Sequence, residues 1–171
     1  NSTRINNFLT IGKLLPLLLF IGVGFFFIQP GNYELQQAPD FSSFSSTVLL
    51  LVFAFGGFES VLVNSGEVKN PEKNLPFALL LATLVIAIIY ILIQIVSIGT
   101  LPSLATAEKP LADAAALFMG KTGAAIIAAG AVISVAGTLN AIMLVGSRLP
   151  FAFSQEKQFP QLFSFIHLLP P

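Results

Sequence analysis

The 171-residue chain contains no cysteine and a single histidine, His167. Without thiols there is no disulfide framework, no thiol nucleophile and no thiolate metal site. One imidazole cannot make a histidine-rich metal site. Charge is equally scarce: Asp, Glu, Lys and Arg make up 9% of the residues, against about 25% in an ordinary soluble domain. Eight scattered Lys and Arg supply no basic patch for nucleic acid. Disorder requires low hydrophobicity and high charge, whereas this chain is 55% apolar. What remains is a membrane protein, or a soluble core too apolar for its own surface.

What the sequence does have is long runs without charge. Leu14–Tyr33 gives 20 residues, Phe41–Phe58 gives 18, Asn74–Ala107 gives 34 and Thr122–Ser147 gives 26. About 20 apolar helical residues cross a bilayer core, and none of these runs shows the polar face of a soluble helix. Each supplies one span, the longest with room for a re-entering loop. Hydropathy and punctuation predict four transmembrane helices in one all-α membrane domain over residues 1–171, at about 8–28, 43–66, 75–98 and 122–146. The breaks fall at Gln29-Pro30-Gly31, Asn70-Pro71, Gly99 to Pro102, and Pro150. Arg4, Lys13, Lys69, Lys73, Arg148 and Lys157 fall on one side of the four spans, and Lys109 and Lys121 on the other. The positive-inside rule makes the first side, with both ends of the chain, cytoplasmic, and a plasma (inner) membrane is expected. The chain opens on Asn1 without a secretory leader pattern and reads as a piece of a longer membrane protein.

Four features break the rules for lipid-facing helices. Gly56 and Gly57 are adjacent near the middle of the second span. They mark either a place where the helix unwinds, exposing carbonyls that attract a cation, or a packing notch. Glu59 follows at once. A carboxylate inside a span is costly, and it serves either proton uptake or hydrogen bonding between helices. Lys13 either snorkels to the headgroups, if its helix begins near Phe8, or lies about 15 Å deep and needs a partner, if the helix begins near Thr3. Pro16 leaves the Gly12 carbonyl without a helical donor beside it. On the fourth helix Gly130, Ser134 and Thr138 recur every four residues, with Gly137 and Ala141 alongside and Asn140 close by. That stripe is a close-packing face or a source of hydroxyl ligands for an ion or an ammonium.

The stretch Phe55-Gly56-Gly57-Phe58-Glu59-Ser60, followed by Glu67-Val68-Lys69-Asn70-Pro71 through Pro76, closely resembles the amino acid–polyamine–organocation (APC) permeases. In that family an FxGFE-like broken helix precedes an E-x-K-N-P-x-x-x-x-P loop. Leu101-Pro102 through Asp113 resembles the family's outer loop. Asn140 through Ala152, then Phe159-Pro160, resembles the end of its eighth helix. The resemblance implies a leucine-transporter-type inverted-repeat fold, of which this fragment looks like helices five to eight, the second of its four being broken at Gly56-Gly57. It implies an aromatic lid at Phe53. The backbone of Phe53, Ala54, Phe55, Gly56 and Gly57 would hold the substrate's ammonium. Proton coupling would fall to Glu59 and to Lys13, whose amine stands where sodium sits in other members. Ser134, Gly137 or Thr138 would lie across from Lys13, and Ile142 stands where some relatives place an aromatic. The family's carboxylate-binding break in its first helix is not in this chain, so the missing helices are expected partners, alongside an amino acid and the lipid bilayer. No cofactor or metal is implied.

The leading expectation is secondary active transport of amino acids by alternating access, proton-coupled or by exchange. A neutral substrate suits the apolar Phe53, Phe55 and Phe58, and polyamine transport is the alternative within the family. An inactive truncated remnant or a helical partner subunit is the alternative outside it. An enzyme is not expected, because Glu59 has neither a second mid-span carboxylate nor a histidine partner.

Overall fold

A computed structural model describes residues 2–34, 40–57, 68–155 and 157–160. Among these residues the regular structure is entirely helical: α1 (Ser2–Gly24), α2 (Phe41–Ala54), α3 (Pro71–Thr100) and α4 (Pro110–Gln155), with short 3-10 turns between. Three helical stretches are long and apolar enough to cross a membrane, Phe8–Phe27, Pro71–Thr100 and Pro110–Met143, while Phe41–Ala54 is apolar but shorter.

α1 packs along α4, with α3 against both. Small residues make the α1–α4 approach possible. Pro16 is buried, and a Cβ on Gly130 would stand 2.8 Å from Pro16 Cγ, so only glycine fits beneath the ring. Two turns on, Gly137 lies under Leu9, where a Cβ would meet Leu9 Cβ at 3.5 Å. Of the expected small-residue stripe, Gly130 and Gly137 therefore lie against α1, while Thr138 and Ala141 are exposed.

The buried core sits at the opposite end of α1 from its start. Phe20, Val96, Leu101, Ala114, Ala115 and Ile127 close it, and the Phe118 ring packs on both Phe20 (5.5 Å) and Phe27 (5.7 Å). The turn after α1 straps across the end of α3. The Tyr33 hydroxyl donates to Ile95 O at 2.6 Å, and both Asn32 Nδ2 and the Gln29 N–H donate to Gly99 O at 2.9 Å. The last four carbonyls of a helix have no partner in the ladder, and the strap supplies two donors to one of them, Gly99 O.

Helix limits depart from the expected ones in instructive ways. α1 begins at Ser2 rather than near Phe8, since nothing in its polar first turns breaks a helix. The α4 stretch is two helices meeting at a kink at Gly120 (φ 66°, ψ −163°), a conformation open essentially to glycine alone; the second begins about where the charge-free run does, and the first, from Pro110, is unexpected. α4 also passes Pro150 instead of ending before it. The stop comes from backbone geometry: Lys157 is left-handed (φ 58°). Its N–H donates to Ser154 O at 3.2 Å and the Gln158 N–H to Phe153 O at 2.9 Å, the paired bonds of a Schellman closure. α3 starts after Asn70, also left-handed at φ 50°, where Asn74 Nδ2 bonds the Lys69 carbonyl.

α2 is anchored at its start by Asp40, whose carboxylate accepts from the Ser43 N–H at 3.4 Å. The side-chain hydrogen bond with Ser43 holds this carboxyl below its ordinary range. Every residue of α2 is exposed. The helix ends at Ala54, with the Gly56 N–H turned back onto Phe53 O at 3.0 Å and Gly57 at φ 100°. The expected continuation of this span to Gly66, Glu59 included, lies outside the described residues.

Candidate functional site

Between α1, α3 and α4 lies a cavity of about 310 Å³. α1 contributes Lys13, Leu14, Pro16 and Leu17, α3 contributes Ile86, Ile89 and Tyr90, and α4 contributes Ile127, Gly130 and Ser134 among others. Its walls are mostly aliphatic, with three polar side chains: the Lys13 amine, the Tyr90 phenol and the Ser134 hydroxyl. No carboxylate lines it among the described residues. Lys13 is half-buried and sits at the centre of α1, about 16 Å along the axis from Ser2 at 1.5 Å per residue. It lines the cavity together with residues of α3 and α4. Pro16, one turn on, removes the N–H that would otherwise occupy the Gly12 carbonyl, which adds an acceptor near the amine.

The candidate residues on α4 divide. Ser134 is half-buried and faces the cavity with Lys13. Gly137 is the seat for Leu9. Thr138 is exposed and donates its hydroxyl proton to Ser134 O at 3.0 Å, so that proton is spent within its own helix.

The residues expected to hold substrate stand at the end of α2. The Phe53 side chain is 83% exposed. Phe55 is half-buried because its ring meets Tyr90 edge-on, with centroids 5.3 Å apart. The Tyr90 hydroxyl donates to Ala54 O across 3.4 Å, a long hydrogen bond. Tyr90 thus touches both the Lys13 cavity and the end of α2. It went unnoticed in the sequence because a phenol scarcely disturbs an apolar run. The available signal was that Tyr90 and Gln94 are polar-tipped side chains well inside the 34-residue charge-free stretch, where a phenol at membrane depth seeks a hydrogen-bond partner.

Residues 1–167 match the family described as amino acid permease. The chain belongs to that family. Its relatives in Bacillus subtilis (strain 168) include a methylthioribose transporter, 32% identical over 97% of this chain and 36% of that protein. The branched-chain amino acid permease BcaP is 33% identical over the same shares, and the serine/threonine exchanger SteT is 31% identical over 94% of this chain and 38% of its own length. The chain therefore spans little more than a third of the length of these relatives. The APC permease family consists of transporters, not enzymes, and this permease segment is part of an integral membrane protein.

Proposed function

We propose that the full-length protein carries amino acids across a plasma membrane by alternating access, with the end of α2 receiving the substrate's ammonium. The observation that carries this reading is the convergence of Lys13, Ser134 and Tyr90 on one cavity, with Tyr90 reaching on to the Ala54 carbonyl. Carbonyls at a helix end favour a cation, and a helix ending at membrane depth is tolerated where it lines a cavity. Substrate sites at interrupted helices near the midplane are the common plan of inverted-repeat transporters. Lys13 supplies a titratable amine in the cavity, and Glu59 the second group for proton coupling or exchange. Ser134 offers the amine a hydroxyl. The apolar Phe53 and Phe55 favour a neutral side chain on the substrate, in keeping with the branched-chain and serine/threonine relatives. Both ends of the segment lie on the cytoplasmic side, and the remaining helices of the transporter complete the site.

The test is uptake and exchange by the full-length protein in proteoliposomes, using labelled leucine, valine, serine and threonine, with methylthioribose beside them. Accumulation or exchange of at least one amino acid is expected, with the pH response altered in Lys13→Ala and in Glu59→Gln. Uptake of methylthioribose alone reassigns the substrate. Full activity with an unchanged pH response in both variants removes the coupling role.

A further inference from the structure

We infer that Tyr90 is a positioning residue that fixes the carbonyl end of α2 against the wall of the Lys13 cavity. The inference rests on the reading above, in which that end receives the ammonium. Ala54 is the last residue of α2, and its carbonyl is where the Tyr90 hydroxyl reaches the helix end. A carbonyl oxygen has two lone pairs. The Tyr90 hydroxyl takes one at 3.4 Å, so it can hold the oxygen in place without using its whole acceptor capacity. The edge-on contact between Tyr90 and Phe55 fixes the next residue as well. Two consecutive residues at the end of α2 are thus tied to one side chain of α3.

Within this segment, the Tyr90 contacts are the side-chain ties from α3 to the end of α2. The opposite side of Tyr90 forms the cavity wall shared with Lys13 and Ser134. Any shift of that wall moves the Ala54 carbonyl by the same lever. Preorganising an acceptor lowers the ordering cost when a ligand arrives, so the hydroxyl acts on substrate affinity. The ring acts on the placement of the helix end.

Two variants separate these roles in the full-length protein. Tyr90→Phe keeps the ring and removes the hydroxyl. It is expected to raise the KM for labelled leucine about 2- to 10-fold, the range for one lost neutral hydrogen bond, with the maximal rate within about twofold of the parent. Tyr90→Leu removes the ring too. It is expected to lower the maximal rate as well and to speed amide exchange at Phe55 and Gly56, measured by hydrogen–deuterium exchange on monodisperse protein in detergent. An unchanged or lowered KM in Tyr90→Phe overturns the positioning role, as does unchanged exchange in Tyr90→Leu. If the parent carries no labelled amino acid, the transport reading has failed on its own, and exchange in Tyr90→Leu still decides whether the tie exists.

Discussion

Pro16 and Gly130 account for each other. A proline inside α1 costs one ladder bond and adds bulk on the side where its ring projects. The ring is accommodated because the facing residue of α4 has no side chain. Gly130→Leu forces the two helices apart, an overpacking cost of about 1–3 kcal/mol, and a lower thermal midpoint in detergent is the expected result. Gly22→Ala is the control. No atom lies within 4 Å of where its Cβ would stand, and alanine is the better helix former by about 1 kcal/mol, so its midpoint should hold or rise. Equal midpoints for Gly130→Leu and the parent would show that the close approach is absent. Lys13 and Ser134 could be singled out from the sequence because a charge or a hydroxyl stands out in an apolar run. Tyr90 could not, because its hydroxyl matters only once the neighbouring helix end is known to lie within reach.

Helices as elements were legible where the signal was chemical and less so where it was geometric. Charge-free runs located α1, α3 and α4, since bilayer-length apolar stretches have few other fates. The stop of α4 was misplaced at Pro150. The true closure depends on Lys157 adopting a left-handed backbone, which glycine would have announced and lysine does not. The helix ahead of the Gly120 kink was not legible in the sequence because its ten residues, with Asp113 among them, are too short for a span. At the end of α2, the adjacent glycines flagged a special backbone, and Gly57 does take φ 100°. The start of α2 carries a pH signature. Asp40 has its carboxyl held down by Ser43, so its capping contribution is present above the ordinary carboxylate range and is lost as the pH falls through the lowered value. The thermal midpoint of Asp40→Ala should lie slightly below the parent near neutrality, and the gap should close on acidification. A gap that widens in acid would contradict the cap.

On the scale of the whole molecule, the described surface is dominated by exposed apolar side chains, among them Phe41, Phe44 and Leu50 on α2 and Phe77 and Leu80 on α3. The buried apolar cluster lies at the strapped end, with Pro16 and Gly130 buried where α1 meets α4. This is the pattern of a protein whose solvent is lipid, in which van der Waals fit between small residues replaces the hydrophobic drive. The orientation proposed from the cation count has a direct test. In a cysteine-free background, a cysteine at Gly31 should react with an impermeant maleimide in intact cells, and one at Lys69 only after permeabilisation. The reverse pattern would invert the assignment. The strap also has an electrical consequence. A helix end carries roughly half a negative charge in unpaired carbonyls. At α3, Ile95 O is taken by Tyr33, Gly99 O by Asn32 and Gln29, Ser97 O by Leu101 and Val96 O by Thr100. Two of the last four carbonyls of α3, those of Ser97 and Gly99, therefore already hold donors, and a cation arriving from the strapped side meets a partly muted helix end.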